Sequence, residues 1–275
     1  MTDNATLAEQ LVCLLASELH DSDVVFTGLV TGEQTAFFAA GIPVAAAVLA
    51  QKTHAPNLTM ILAGWIVNPD LTALKQQPTS EFDPILLDLP AEAHSQRVPG
   101  VMNFQRGDIT VGFSSAAQMD RHGSLNTHRI HLPNGSTRSL VGPILIPEHM
   151  TVFGREIVMM PRHERRTFAE AVDYRSGPRL ADQRRLASKF GYTGAGPVMV
   201  ITPRCVFDFD DDAQMRVRSL HDGNSLEDVQ AHTGFSVPSA DVPQTMKADD
   251  AYLEILRNEV DPHGVLLGSL GSRSA

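Results

Sequence analysis

Apolar positions in the first quarter of the chain alternate between helical and strand spacing. Residues 5–19 repeat apolar side chains at helical intervals, and residues 23–27 follow as a short run that predicts a buried strand. Residues 42–51 predict a helix with Pro43 near its first turn, where a missing N–H is tolerated, and residues 58–63 predict a second strand. A strand, a helix and a strand in this order are typical of a parallel sheet.

Apolar runs of the same kind continue through the second half of the chain. Further predicted strands lie at residues 109–113, 155–160, 197–202 and 205–209. Further predicted helices lie at residues 163–173, 225–232 (with Ser225 as N-cap) and 248–260. The pattern predicts an α/β fold with an open, mainly parallel sheet and helices on both faces, and ligands at the carboxyl ends of the strands.

We expect a single domain over residues 1–265. Residues 66–106, rich in proline and acidic side chains, predict an irregular excursion within it, and residues 266–275 predict a flexible tail. The sequence TGEQT contains Glu33 and Gln34, which are ordinary loop residues by default.

Charge and composition restrict the classes of partner. The 275-residue chain has a formal net charge of −10, which argues against nucleic acid or an anionic membrane as a general partner. It has no run of 18 apolar residues and no signal-peptide pattern, so a cytoplasmic protein without a membrane span is expected. Cys13 and Cys205 have neither metal-binding nor redox spacing and are interpreted as reduced core thiols.

Spacing alone indicates little chemistry. His122, His128 and His131 are close in sequence, but turn-forming residues surround the last two, so hydrogen-bonded histidines are favoured over a metal site. His163 and Glu164 follow a predicted strand, where α/β proteins build their sites. The alternative for this pair is a solvated first helical turn with a local Glu–Arg contact.

An ordered series of segments resembles the β subunits of family I CoA-transferases, of the glutaconate CoA-transferase type. The series includes AAGIPVAAAVLAQKTHAPN (39–57), AAQMDRHGSLN (116–126), IVMMPRHERRTFAEAVDY (157–174), GPVMVITPRCVFDFD (196–210) and SLEDVQAHTGF (225–235). The resemblance implies the CoA-transferase architecture and an α subunit of the same fold as partner, in a heterodimer or heterotetramer. It also implies a coenzyme A thioester as substrate, without a permanently bound cofactor or a metal.

Three departures from the family pattern affect the expected reaction. In the family, a β-subunit glutamate attacks the thioester, but in the segment THAPNLTMILAGW this chain has Ala63 at that position. The family's glycine-rich loop binds the oxyanion with backbone N–H groups, yet residues 139–150 contain one glycine and two prolines. Residues 28–38 resemble an insertion at the active edge, which brings Glu33 there.

The matched positions supply the candidate site residues. The candidate catalytic residues are Glu33, His163 and Glu164. The candidate substrate-binding residues are Gly64, Trp65, Gln118, Asp120 and Asn126. Trp65 is predicted to wall the substrate pocket beside Ala63, and its alternative role is packing.

Three functions are compatible with these observations. The leading hypothesis is a β-like subunit of a heteromeric enzyme that acts on an acyl-CoA as a C–C hydrolase, lyase or decarboxylase. In this hypothesis the α subunit is a source of the general base. Superfamily members that lack the glutamate include ring-opening hydrolases of steroid breakdown and decarboxylase-like pairs of isovalerate biosynthesis. The alternatives are a CoA-transferase whose nucleophile is displaced to Glu33, and a non-catalytic partner of an α subunit.

Overall fold

The computed structural model describes residues 5–29, 33–95, 104, 106–238 and 241–271. The helices are α1 (Leu7–Ser17), α2 (Glu33–Ala36), α3 (Ile42–Thr53), α4 (Ile146–Thr151), α5 (Leu180–Phe190), α6 (Leu226–His232) and α7 (Asp250–Ile255), with π-helical segments at Phe37–Gly41 and Leu256–Val260. The strands are β1 (Val24–Thr27), β2 (Thr59–Leu62), β3 (Ile66–Pro69), β4 (Ala91–His94), β5 (Val111–Ser114), β6 (Gln118–Met119), β7 (Leu125–Asn126), β8 (Arg129–His131), β9 (Thr137–Ser139), β10 (Arg155–Met159), β11 (Pro197–Ile201), β12 (Cys205–Phe209) and β13 (Met215–Leu220).

Internal contacts divide the chain into two compact units. Unit 1 contains Met1–Asn103, Ile109–Phe113 and Met246–Ala275, and unit 2 contains Phe104–Asp108 and Ser114–Thr245. The single domain expected over residues 1–265 stays a prediction. Within the part of the chain that the structure describes, no helix has the length and apolar character needed to cross a membrane.

Unit 1 is built on strands in the order β5-β1-β2-β3-β4. Strand β1 pairs in parallel with β5 on one edge and β2 on the other, so that Val25 lies opposite both Val111 and Met60. Strands β3 and β4 extend this sheet with antiparallel pairings. The predicted excursion at residues 66–106 is therefore more regular than its composition indicates, and its residues 96–103 and 105 lie outside the described residues.

The helices of unit 1 follow the predicted spacing, with one difference. Helix α1 begins at a capping box, in which the Glu9 backbone N–H donates to the Thr6 hydroxyl at 3.2 Å. Helix α2 leads through the π-helical segment directly into α3, so the expectation that Glu33 lies in a loop is wrong. Phe37 and Phe38 are 8% and 5% exposed, and their burial favours a helical connection over a solvated one.

The carboxyl-terminal segment packs closely against this helical connection. A β-carbon at Gly41 would lie 2.0 Å from the carbonyl oxygen of Leu266, a contact that only glycine permits. Leu266 and Leu267 are 5% and 4% exposed. Both leucines therefore pack within unit 1. Residues 272–275 lie outside the described residues, and the flexible tail expected over residues 266–275 stays a prediction.

Unit 2 combines a mixed sheet with two small hairpins. Strands β10 and β11 are parallel, and β12 and β13 continue the sheet in antiparallel fashion. Strands β6 and β7 form one two-stranded sheet and β8 and β9 another. Parallel pairs beside the helices and antiparallel strands at the edges confirm the predicted α/β class.

The prediction of a helix over residues 163–173 is wrong. Only one turn forms there, in which the backbone N–H groups of Thr167 and Phe168 donate to the Glu164 carbonyl oxygen at 2.8 and 2.9 Å. The Ala169 N–H then donates to the Met119 carbonyl oxygen at 3.0 Å, and Phe168 is fully buried. Tertiary pairing with strand β6 prevails over local helical spacing. Helix α5 and strand β13 have no counterpart among the predicted elements.

A buried histidine occupies the core of unit 2. His163 is 5% exposed, and its ring centroid lies 4.6 Å from that of Phe168 and 5.5 Å from that of Phe207. Burial, and secondarily the charge of Arg204, lowers the pKa of His163 to about 3. The imidazole is therefore neutral in the folded protein at physiological pH.

We expect Gly41→Ala to lower the free energy of unfolding by about 1–3 kcal/mol, because its β-carbon requires the Leu266 backbone to move. Urea denaturation measures the change. Gly264→Ala is the comparison, because a β-carbon there meets no atom within 4 Å and only the positive φ of 66° opposes it. A Gly41→Ala protein as stable as wild type would contradict the close packing.

We expect His163→Gln to flatten the acid side of the stability profile. The unfolded chain binds a proton at His163 below about pH 6.5 and the folded chain only below about pH 3. Wild-type stability therefore falls as pH drops through this window, by up to about 1.4 kcal/mol per pH unit from this group. Denaturant titrations from pH 7 to 4 measure the slope, and His20→Gln, which removes an exposed histidine, is the control. Equal slopes in wild type and His163→Gln would contradict the assignment.

Candidate functional site

The position that the resemblance assigns to the family's glutamate lies in the tight turn between β2 and β3. Ala63 and Gly64 have φ of 55° and 80°, and the Trp65 N–H donates to the Leu62 carbonyl oxygen at 3.2 Å. Positive φ at both central residues is what a type I′ hairpin turn requires. The Ala63 N–H donates to the Thr27 carbonyl oxygen at 3.0 Å, which fixes the turn to the carboxyl end of β1.

The left-handed backbone at Ala63 carries a conformational cost. A residue with a β-carbon is disfavoured there by roughly 1–2 kcal/mol, whereas Gly64 is not. Ala63 is 2% exposed and offers only a methyl group, so this turn has neither an acid nor a nucleophile at the family's catalytic position. Strained backbone of this kind clusters at functional sites.

A carboxylate missed by sequence reasoning lies at the same strand end. Glu81 Oε1 accepts a hydrogen bond from the Leu29 N–H at 3.2 Å, and it lies 3.6 Å from the position that a β-carbon of Gly28 would occupy. Gly28 directly follows strand β1. The acidic composition of residues 66–106 was the only sequence signal for Glu81, because no local spacing links it to β1.

Trp65 connects the turn to the excursion. Its indole Nε1–H donates to the Glu81 carbonyl oxygen at 3.1 Å, and its ring lies edge-on to His94 with centroids 5.7 Å apart. Trp65 is 3% exposed, so packing within unit 1 accounts for its surface. Its role as a pocket wall, and the binding role of Gly64, stay predictions.

Glu33 is the first residue of helix α2. Residues 30–32, which precede it, lie outside the described residues. The catalytic role considered for Glu33 stays a prediction.

Two of the candidate binding residues in unit 2 lie in direct contact. Asn126 Nδ2 donates to Gln118 Oε1 at 2.7 Å, across the β6–β7 pair. Gln118 Nε2 donates to Asp173 Oδ2 at 3.2 Å, and the Asp173 N–H donates back to Gln118 Oε1 at 3.0 Å. Asn126 is fully buried. Asp173 belongs to the DY pair of the family-like segment, which is the sequence signal for it.

Asp120 shapes the turn between β6 and β7. Its Oδ1 accepts the N–H of His122 at 2.9 Å and of Ser124 at 3.1 Å, and the intervening Gly123 has φ of 73°. Asp120 is 3% exposed. These contacts are those of an Asx turn, and they explain its presence without a ligand.

The loop that replaces the glycine-rich loop uses backbone donors internally. The N–H of Leu140 donates to the His128 carbonyl oxygen at 2.7 Å, and that of Gly142 donates to the Thr127 carbonyl oxygen at 2.9 Å. The side chains of Val141 and Ile144 are 84% and 81% exposed. Because those two N–H groups already have acceptors, they are not free to bind an oxyanion.

Beyond the ends of β10 and β11, unit 2 has an open cavity of about 540 Å³. Its lining includes Arg162, His163, Glu164, Arg204, Asn224 and His232. Arg204 pairs with Asp228, which also lies 3.3 Å from His232 Nδ1. Glu164 pairs with Arg166 at 2.6 Å. Cationic groups on the rim suit an anionic ligand, and the two carboxylates offset part of that charge.

Both ring nitrogens of His163 are occupied. Nε2 lies 3.0 Å from the Thr233 hydroxyl, which also donates a hydrogen bond to the Val229 carbonyl oxygen. Nδ1 lies 2.9 Å from the Thr202 hydroxyl. This geometry favours a positioning role over proton transfer, and the catalytic roles considered for His163 and Glu164 stay predictions.

Comparison with curated proteins identifies relatives over most of the chain. The chain is 29% identical over 255 residues to the B-type subunit of 3-oxoadipate CoA-transferase from Pseudomonas knackmussii, covering 90% of this chain and 91% of that protein. It is 30% identical over 191 residues to the IpdB component of the cholesterol ring-cleaving hydrolase from Mycobacterium tuberculosis, covering 65% of this chain and 74% of that protein.

Solved structures give the same fold. Glutaconate coenzyme A-transferase from Acidaminococcus fermentans matches with a TM-score of 0.74 and 22% identity, over 96% of this chain and 99% of that chain. The decarboxylase AibA/AibB matches with a TM-score of 0.75 and 23% identity, over 97% of this chain and 100% of that chain.

No protein-family model matches the sequence. The curated relatives nevertheless extend over both units, and the solved structures carry the same architecture from end to end. The chain belongs to the CoA-transferase family, in the group of B-type subunits that includes both transferases and the IpdB component of a ring-cleaving hydrolase.

Proposed function

We propose that this chain is the β-type subunit of a heteromeric enzyme that cleaves a C–C bond of an acyl-CoA. The enzyme acts as a hydrolase, a lyase or a decarboxylase. The observation that carries the proposal is Ala63, a buried methyl group in the β2–β3 turn where the family's nucleophile is expected. Glutamate-mediated transfer needs a carboxylate that forms a covalent intermediate, and an alanine has no such chemistry.

The relatives support both parts of this proposal. The similar proteins are B-type subunits or two-component assemblies, so we propose an α subunit of the same superfamily as partner. One relative belongs to a ring-cleaving hydrolase and one similar structure is a decarboxylase. The names of these two proteins describe hydrolysis and decarboxylation and not CoA transfer. The architecture is therefore compatible with reactions other than CoA transfer, which Ala63 disfavours.

The loop at residues 139–145 also argues against glutamate-mediated CoA transfer. Two of its backbone N–H groups are bound within unit 2, and Pro143 has none to offer. These three positions therefore offer no backbone N–H to an oxyanion formed from the thioester, whereas the family's glycine-rich loop binds the oxyanion through such groups. The candidate contacts for the acyl-CoA in unit 2 are the partly exposed Gln118, which the buried Asn126 positions, and the cavity beside Glu164.

Two alternatives predict different behaviour. In the first, Glu33 is a displaced nucleophile of a CoA-transferase, as its position in the insertion at residues 28–38 indicates. In the second, the chain is a structural partner, and its α subunit turns over acyl-CoA normally alone.

We propose a cytoplasmic location. Cys13 and Cys205 are buried free thiols, and burial raises the pKa of each to about 12. Reduced, unreactive thiols are typical of a reducing compartment.

With its cognate α subunit, the chain should convert an acyl-CoA without CoA transfer. The complex is incubated with 3-oxoadipyl-CoA, glutaconyl-CoA and acetoacetyl-CoA plus acetate in ¹⁸O-water, and the products are analysed by mass spectrometry. We expect an acyl-CoA shortened by CO₂, or a cleaved product with ¹⁸O in its new carboxylate. The α subunit alone is the control, and normal turnover by that control would favour the structural-partner alternative. Acetyl-CoA formed without ¹⁸O-labelled acid would contradict the proposal.

No covalent intermediate should form on this chain during turnover. Borohydride or hydroxylamine is added after acyl-CoA, and peptides covering Glu33 are compared by mass spectrometry with samples that received no acyl-CoA. We expect the Glu33 peptide to be unmodified, because the proposed C–C cleavage does not use a carboxylate of this chain as a covalent nucleophile. Modification of Glu33 that depends on acyl-CoA would establish the displaced-nucleophile alternative instead.

A further inference from the structure

We propose that Glu81 is the general base of this chain, at the strand end where the family's glutamate is missing. The inference rests on the proposed C–C chemistry and adds a residue to it. Its basis is the position of one carboxylate, contributed by the excursion, at the carboxyl end of β1.

A hydrogen bond orients the Glu81 carboxylate and leaves one of its oxygens able to accept a proton. One carboxylate oxygen accepts the Leu29 N–H at 3.2 Å, which fixes the orientation of the side chain. The other oxygen has no hydrogen-bond donor among the described residues, and Glu81 is partly exposed. A carboxylate anchored through one oxygen retains the second to accept a proton.

Hydrogen bonds link Glu81 to the altered turn. The Thr27 carbonyl oxygen accepts the Ala63 N–H, and Leu29, the donor to Glu81, follows Thr27 by two residues. The Glu81 backbone is also tied to this turn, because its carbonyl oxygen accepts the Trp65 indole N–H. Two independent hydrogen bonds therefore hold Glu81 near the turn that lacks the carboxylate at Ala63.

Two other carboxylates of the excursion, those of Asp83 and Asp70, accept more hydrogen bonds than Glu81. Asp83 accepts the backbone N–H and hydroxyl of Thr79 and the N–H of Ile85, and these bonds lower the pKa of Asp83 below its usual range. Asp70 Oδ1 caps a short turn by accepting both the N–H and the hydroxyl of Thr72, at 3.1 and 2.6 Å. Among the described residues, the Glu81 carboxylate accepts one hydrogen bond, so more of its capacity is left for a substrate or water.

The proposed step is hydrolysis of a β-ketoacyl-CoA. The Glu81 carboxylate accepts a proton from water, and the water oxygen forms a bond to the ketone carbon. The bond between that carbon and the α carbon breaks, and its electron pair stays on the α carbon as a thioester enolate. Glu81 then returns its proton to that carbon. One water is consumed, a carboxylic acid and a shortened acyl-CoA form, and the Glu81 carboxylate is regenerated.

The variant Glu81→Gln distinguishes a role of Glu81 as general base from a role as hydrogen-bond acceptor for the Leu29 N–H. An amide oxygen still accepts the Leu29 N–H, but it does not take up a proton from water. The assembled enzyme is tested with 3-oxoadipyl-CoA and acetoacetyl-CoA. We expect kcat to fall at least about 100-fold with KM within about threefold, and the acid limb of the wild-type pH profile to disappear. Asp88→Asn, an exposed carboxylate of the same excursion, is the matched control and should retain wild-type kcat.

The outcomes distinguish the inference from the proposed function. C–C cleavage by wild type together with near-normal kcat in Glu81→Gln would overturn the role of Glu81 and leave the function intact. Loss of activity in Glu81→Ala but not in Glu81→Gln would assign Glu81 as an anchor, which also overturns it. CoA transfer by wild type would overturn the proposed function itself.

A second measurement does not depend on turnover. The assembled enzyme is labelled with a water-soluble carbodiimide and glycine ethyl ester, with and without saturating acetoacetyl-CoA, and the Glu81 peptide is quantified. We expect the thioester to reduce labelling of Glu81 at least about fivefold and to leave Asp88 unchanged. Equal labelling of Glu81 in both samples would place it away from the substrate and overturn the inference.

Discussion

Strand β1 is the constraint on which the candidate site of unit 1 depends. It is paired in parallel on both edges, with β5 and with β2, so its carboxyl end has little freedom to move. The carbonyl oxygen of Thr27 then fixes the β2–β3 turn through Ala63, and the N–H of Leu29 fixes the Glu81 carboxylate. The sheet thus determines where a reacting group stands, while the loops determine which group it is.

The same turn shows how a family architecture persists after its usual nucleophile is lost. The β2–β3 hairpin needs positive φ at both central residues, and Ala63 adopts it although a β-carbon makes this conformation unfavourable. The backbone that presents a side chain at this edge is therefore retained without a reactive side chain. A carboxylate from a distant segment, Glu81, lies at the same strand end, which is the arrangement expected if the chemistry moved rather than disappeared.

Unit 2 is organised around buried polar groups that find partners. His163 bonds two threonine hydroxyls, and Gln118, Asn126 and Asp173 satisfy one another across short strands. A buried polar group without a partner costs about 1–3 kcal/mol, so these networks specify their loops strongly. Some residues of the family-like segments are therefore accounted for by a structural role in their own loops. Asp120 is an example, because its carboxylate forms an Asx turn.

The sequence by itself determined the strands at β1, β2, β5, β10, β11 and β12, the helices α1, α3, α6 and α7, and the family, because these depend on local periodicity and on ordered motifs. It also determined that position 63 has no nucleophile. Only the tertiary structure decided that residues 163–173 form a single turn in place of a helix, since the pairing of Phe168 with strand β6 prevails over local spacing. Only the tertiary structure placed Glu81, because a hydrogen bond between residues 52 positions apart leaves no periodic signal in the chain.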